Sequence, residues 1–382
     1  MIKVLTIFGT RPEAIKLAPI IIELRKYADF EVQVCVTAQH RQMLDQVLNL
    51  FGIVPDIDLN LMESGQTLPD LTAKVVTHVD WVLKKNRPDV TLIQGDTTTV
   101  MAVSMAAFYR KVPIGHVEAG LRSGDIYSPF PEEFNRRVTG LVSKYHFAPT
   151  QKAREALLNE GVDGKAIFVT GNSVIDALNM IVQTEKTVAV ESLLLKVKTI
   201  GGRDSKLILV TAHRRENFGE RFESICYGLK DLVMRNKDVV VLYPVHLNPH
   251  VREPVFRILE GQERIILVDP VEYDVMVHLM NASYLVLTDS GGLQEEAPAL
   301  GKPVLVMRSE TERSEGVEAG TAKLVWPDRD RIVSETELLL NDQYTYNRMA
   351  HAVNPYGDGR ASERIVKILR SENKQILESY HE

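Results

Sequence analysis

Several short segments carry side chains able to do chemistry. Acids follow apolar runs in Gln94-Gly95-Asp96-Thr97-Thr98-Thr99 and in His116-Val117-Glu118-Ala119-Gly120, and Glu132 and Glu133 follow Phe130-Pro131. Converging carboxylates raise some pKa values, which a proton-transfer site can use. Asp96 has two readings. It caps the next helix by accepting free N–H groups, or it faces the open end of a sheet while one of the threonines caps. Glu132 and Glu133 also suit the positive end of a helix dipole.

The basic segments complement these acids. Thr211-Ala212-His213-Arg214-Arg215-Glu216-Asn217 sets a histidine beside two arginines, a pattern for anion recognition in which His213 donates a proton or bonds to phosphate. In Gly9-Thr10-Arg11-Pro12-Glu13-Ala14-Ile15-Lys16, Arg11 and Lys16 flank a helix start, where anions are attracted. A plain β–α turn with solvated cations is the equal alternative. Ser290-Gly291-Gly292 opens a helix with backbone N–H groups that phosphate can approach. Glu296, one turn in, can accept from ribose hydroxyls, and Arg313 can add charge; a capped glycine turn is the other reading. His246 and His250 read first as turn polarity. There is no GxGxxG, Walker loop or HExxH, and only Cys35 and Cys226. These residues describe a site for a diphosphate-containing ligand, with Asp96, Glu118, Glu132 and His213 left for acid–base work and neither metal nor cofactor expected.

Strand ends must present such residues. Short apolar runs alternate with amphipathic stretches, the pattern of a parallel sheet with helical crossovers. One series runs from strand Lys3–Phe8, through helix His40–Phe51 and strand Ile114–Glu118, to strand Ala166–Thr170. A second runs from Leu207–Thr211 to Ala322–Val325. Thr184–Ser205 between them has weak periodicity. The expectation is α/β: two doubly wound Rossmann-like domains facing a cleft, spanning 1–172 and 173–359, with a C-terminal helix (360–382, clearest over Arg360–Arg370) packing back on the first. Trp81 reads as core, and both cysteines as buried and inert. In open α/β sheets ligands sit beyond the strands' carboxyl ends, where most of the unusual residues fall.

Composition narrows the classes. The 382 residues hold 45 basic and 51 acidic side chains, a net charge of −6, so bulk nucleic-acid binding is not expected. No apolar run approaches the ~18 residues of a membrane span. Ile2–Phe8 is shorter than most signal-peptide cores and lacks a cleavage site. A cytoplasmic protein is expected.

Taken in order, FGTRPEAIK, TAQHRQMLDQ, GDTTT, GHVEAGLRS, PFPEEFNRR, VTGNSVIDAL, TAHRREN, YPVHLNP, LTDSGGLQEEAPALGKPVLVMR and NPYGDGRAS resemble the non-hydrolysing UDP-N-acetylglucosamine 2-epimerases, from Phe8 to Ser362. The resemblance implies the glycosyltransferase-B (GT-B) arrangement of two Rossmann-like domains. It implies interconversion of UDP-GlcNAc and UDP-ManNAc without NAD, by elimination of UDP to 2-acetamidoglucal and re-addition, and a homodimer. It implies catalytic roles for Asp96, Glu118, Glu132 and His213, and nucleotide contacts at Arg11, Lys16, Ser290, Gly291, Gly292, Glu296 and Arg313. A second, activating UDP-GlcNAc would lie at Gln42, Gln46, Arg214 and His246. The chain departs from some members at Val271 and Met276, near the uracil, and at Gly65, where an arginine occurs. A hydrolysing epimerase, a GT-B glycosyltransferase and a catalytically silent nucleotide-sugar sensor are the rival readings.

Overall fold

The computed structural model describes residues 1–38, 41–63 and 65–379, the side chains of 373–379 excepted. The expected helix start at His40 and the last residues of the expected 360–382 segment lie outside the described residues. The chain divides into two compact units, Met1–Ala177 with the segment from Tyr356 onward, and Leu178–Pro355.

The first unit alternates β1 (Ile2–Phe8), α1 (Arg11–Leu24), β2 (Phe30–Val36), α2 (Arg41–Leu50), β3 (Ile57–Asp58), α3 (Leu68–Asn86), β4 (Val90–Gln94), α4 (Thr98–Tyr109), β5 (Ile114–Val117), α5 (Glu132–Val142), β6 (Tyr145–Ala148), α6 (Gln151–Asn159) and β7 (Ile167–Val169). The strands form one parallel sheet of order β3-β2-β1-β4-β5-β6-β7. Helices cover both faces, so β1 and β4 are apolar and almost wholly buried. Strand order reverses between β1 and β4, and the crevice of such a sheet opens beyond their carboxyl ends. That is where Gly9-Thr10 and Gly95-Asp96-Thr97 lie.

α7 (Ser173–Val182) carries the chain across the division to α8 (Val188–Gly201), β8 (Lys206–Thr211), α9 (Glu220–Arg235), β9 (Val239–Pro244), α10 (Pro249–Leu259), β10 (Ile265–Val268), α11 (Tyr273–Ala282), β11 (Leu285–Thr288), α12 (Gly291–Ala299), β12 (Val304–Val306), α13 (Ser314–Glu318), β13 (Ala322–Leu324), α14 (Arg329–Asn341) and α15 (Gln343–Ala350). The second sheet is also parallel, of order β10-β9-β8-β11-β12-β13. Its order reverses between β8 and β11, above which the His213 and Ser290 segments lie. A core including Phe222, Leu229, Tyr243 and Leu287 supports it.

The final helix, α16 (Ala361–Ser379), packs on α1 within the first unit. Its first N–H groups, on Ala361 and Ser362, donate to the buried carboxylate of Asp176 at 3.1 and 2.8 Å. Arg370 reaches Asp29 at 2.6 Å and lies over the Tyr27 ring.

Three expectations need correction. Thr184–Ser205 holds a regular helix, α8, whose buried positions are only Val190 and Val197, too few to print a clear period. Strand β5 stops at Val117, because Glu118 turns to the left-handed region at φ 66°. Trp81 is 56% exposed on α3. Cys35 and Cys226 are both fully buried, and burial pushes each thiol up to about 12.

Candidate active site

In the first unit, two neighbouring strands bring the acids forward. β4 and β5 pair with Gln94 opposite Val117, so the loops bearing Asp96 and Glu118 are adjacent. Glu118 is buried, and its Oε2 accepts from Lys16 Nζ at 2.5 Å and from Gln94 Nε2. A non-glycine residue at positive φ is strained and persists where its surroundings over-determine it, most often at functional sites. Two residues on, Gly120 (φ 92°) leaves no room for a side chain: a Cβ there would stand 2.2 Å from the Ala153 carbonyl oxygen. This contact seats the Glu118 loop against α6.

Thr97, not Asp96, caps α4, its hydroxyl accepting from Val100 N at 3.3 Å. Asp96 is turned to α5 instead. Its carboxylate pairs with Arg136 Nη2 at 2.5 Å and its carbonyl accepts from Asn135 Nδ2 at 2.8 Å. Glu132 begins α5, and its side chain makes no hydrogen bond or ion pair with another described residue. Glu133, by contrast, is wholly buried and accepts from Ser123 N at 3.1 Å and from Arg136 and Arg137, pinning the loop that precedes α5. Arg11 stands half-buried at the first position of α1. Gln42 and Gln46 lie exposed on α2.

Beneath this surface His116 and His146 stand side by side as register partners on β5 and β6. His116 Nε2 donates to the Gly95 carbonyl at 2.8 Å. Burial pushes His116 down to about 3 and His146 to about 4, from 6.5. Both are neutral in the folded protein near pH 6.5, whereas an unfolded histidine binds a proton below it. The unfolded chain therefore gains protons first, and stability is lost as pH falls. We expect the urea midpoint to drop from pH 6.5 to 5, with up to about 1.4 kcal/mol per pH unit from each histidine. His146→Gln should flatten that slope; an unchanged slope would mean that the His146 imidazole titrates normally.

In the second unit the centre is Asp289, fully buried at the end of β11. Its carboxylate accepts from His213 N (2.9 Å), Arg214 N (2.9 Å) and Asn217 Nδ2 (3.2 Å), and lies 3.6 Å from His213 Nδ1. The His213 ring stacks on His246 with centroids 5.4 Å apart. Burial lowers the pKa of His213; Asp289 opposes this, while His246 and Arg214 reinforce it. Ser290 N donates to Thr288 Oγ1 at 2.9 Å, and Gly291 starts α12 between two guanidiniums. The Cβ position of Gly291 is 3.6 Å from Arg313 Cζ and 3.7 Å from Arg214 Nη2. Arg313 is held by Glu295 at 2.7 Å, and Glu296 accepts from the Tyr273 hydroxyl at 2.8 Å. A helix N-terminus between two arginines, with an acid one turn in, suits a nucleoside diphosphate.

A family model described as UDP-N-acetylglucosamine 2-epimerase matches residues 22–370. The UDP-N-acetylglucosamine 2-epimerase of Escherichia coli K12 is 54% identical over 373 residues, covering 97% of this chain and 98% of that one. The chain belongs to the UDP-N-acetylglucosamine 2-epimerase family. The Salmonella typhimurium enzyme of the same name is 54% identical over 372 residues, 97% of this chain and 98% of its own. Among solved structures, the UDP-GlcNAc 2-epimerase of Neisseria meningitidis bound to UDP-GlcNAc matches with a TM-score of 0.88 and 47% identity, over 97% of this chain and 100% of that one.

For an epimerase of this family, two site carboxylates escaped the sequence reading. Asp289 and Glu13 stand inside quoted motifs, yet both point inward to backbone N–H groups. Only the strand order shows that each joins the two loops at a switch point. Among the described residues no group of three His, Cys, Asp or Glu side chains could hold a metal ion, and no helix is long and apolar enough to cross a membrane.

Proposed function

We propose that the chain interconverts UDP-GlcNAc and UDP-ManNAc by the non-hydrolysing route. A carboxylate takes the C2 proton as the C1–O bond breaks. The C–H pair becomes the C1=C2 double bond of 2-acetamidoglucal, and the C1–O pair leaves on UDP. Re-addition of UDP with protonation from the opposite face completes the epimerisation. The C2 proton is not acidic, so departure of a well-stabilised UDP must drive its loss. The observation that carries this reading is the pair of guanidiniums at Gly291, which fits a leaving diphosphate.

Asp96 and Glu132 handle the proton at C2, Glu118 shapes the sugar site, and His213 stabilises the leaving diphosphate. Arg11, Lys16, Ser290, Gly291, Gly292, Glu296 and Arg313 bind the nucleotide sugar. A second UDP-GlcNAc binds at Gln42, Gln46, Arg214 and His246 as activator. The enzyme works in the cytoplasm, and its product feeds cell-surface polysaccharide synthesis. It acts as a homodimer. Trp81, Phe108, Tyr109 and Leu141 are exposed apolar side chains on α3, α4 and α5, of which α4 packs on both others, and large exposed apolar residues on one group of helices suit a subunit contact.

A proton NMR time course with UDP-GlcNAc alone in deuterated buffer tests this. UDP-ManNAc carrying deuterium at C2, with no NAD added, is expected. Free ManNAc with UDP would instead establish the hydrolysing reaction. Starting from UDP-ManNAc alone tests the activator: turnover should wait for added UDP-GlcNAc.

A further inference from the structure

Glu13 is 1% exposed, yet it is a carboxylate, and nothing in the proposed chemistry uses it. Its Oε2 accepts from Gly9 N at 2.6 Å and Thr10 N at 2.9 Å, both in the loop after β1. Its Oε1 accepts from Thr97 Oγ1 at 2.5 Å, in the loop after β4. One side chain thus joins the two loops that flank the switch point of the first sheet. Burial raises its pKa, and the three donors aimed at it oppose that rise. The capping box with Thr10 explains one of these three bonds and leaves the reach across to Thr97 unexplained.

The residue beside Thr97 is Asp96. Its backbone is held on one side by Asn135 Nδ2 on its carbonyl, and the preceding Gly95 carbonyl by His116 Nε2. The other side is held by Thr97 alone among these contacts, through Glu13. We propose that Glu13 and Thr97 are positioning residues for the reaction, setting the Asp96 carboxylate relative to the Arg11 loop. This rests on the reading of Asp96 as a proton-handling group. Neither side chain touches substrate; each acts through the backbone of the neighbouring residue.

The experiment uses the full chain, with UDP-GlcNAc as substrate and the NMR time course as readout. Thr97→Val keeps the shape and removes the hydroxyl, and with it both the bond to Glu13 and the cap on Val100 N; the Glu13 variants, which leave that cap in place, separate the two. Loss of one charge-assisted hydrogen bond should lower kcat about tenfold with KM within about twofold. Thr97→Ser restores the hydroxyl and should recover most of kcat. Glu13→Gln, which still accepts from the two N–H groups and can donate to Thr97 Oγ1, should lose less than Glu13→Ala. Asp96→Asn separates the two readings. If Asp96→Asn is inactive while Thr97→Val turns over like the parent, the positioning role is wrong and the Asp96 reading stands. If Asp96→Asn is active, the reading beneath it falls. Equal losses in Thr97→Val and Thr97→Ser would also overturn the proposal, because then the hydroxyl is not what matters.

Discussion

Glu118→Gln is expected to lower kcat about 10²-fold or more and to lower the melting temperature as well. Glu118 sits on a left-handed backbone, a strain of about 1–3 kcal/mol that only its surroundings can hold. The holding groups are Lys16 Nζ, at 2.5 Å, and Gln94 Nε2, both on one carboxylate oxygen. An amide can offer its oxygen there but turns its NH2 into the other position and cancels the charge. Lys16, 17% exposed at its side chain, then loses the charge of Glu118. Removing one partner of a buried pair costs about 3–5 kcal/mol, an upper bound for a lysine that retains some solvent. The sugar-site loop then relaxes, and a displacement of about 1 Å near the chemistry can cost 10²-fold. Lys16→Met should lose a comparable amount, and the double mutant less than the sum, because the two act through one contact. Additive losses would show that the two act independently, and Glu118→Gln turnover within tenfold of the parent would show that the pair serves stability alone.

The strands were legible because crossover helices bury both faces of each sheet. The expected strands Lys3–Phe8, Leu207–Thr211 and Ala322–Val325 stand within one residue of Ile2–Phe8, Lys206–Thr211 and Ala322–Leu324. The helices that failed to announce themselves are those with thin buried stripes. α8 has two buried residues in fourteen, and α15 has none. α14 and α15 do carry a usable signal, since Asp328 and Asp342 accept from the first-turn N–H groups. Motif residues at strand ends were visible as unusual types in unusual places. What no pattern shows is direction. Asp96 lies in the loop after β4 and Glu13 in the first turn of α1 after β1, and only the fold turns one toward α5 and the other into the protein. The same limit explains Trp81: the apolar period of α3 is real, but it belongs to Leu71, Val75, Val79 and Val82.

Asp289 poses the sharpest test of how inward-facing acids support outward-facing chemistry. Asp289→Ala leaves the N–H groups of His213 and Arg214, and one hydrogen of the Asn217 amide that also donates to the Met307 carbonyl, without their acceptor, at a residue of zero exposure. Each orphaned donor costs about 1–3 kcal/mol, so Asp289→Ala should unfold several degrees lower or fail to accumulate. Asp289→Asn is the informative variant. With its oxygen at the Oδ2 position it still accepts from all three donors, and loses only the second, longer approach of His213 N to Oδ1 at 3.1 Å. It removes the negative charge that opposes the depression of the His213 pKa. The imidazolium is then less favoured, and the His213 pKa falls further below 6.5. A proton-donating His213 predicts that activity on the alkaline side fails at a lower pH in Asp289→Asn, by a shift readable in the pH profile of kcat/KM. His213 acting only as a neutral hydrogen-bond donor to the diphosphate predicts an unshifted profile and a uniform loss. The stacked His246 ring supplies a second handle. It lowers the same pKa, so His246→Asn should move that limb upward, opposite in sign to Asp289→Asn. Two substitutions on either side of one imidazole, displacing one limb in opposite directions, can be produced by that imidazole and by little else.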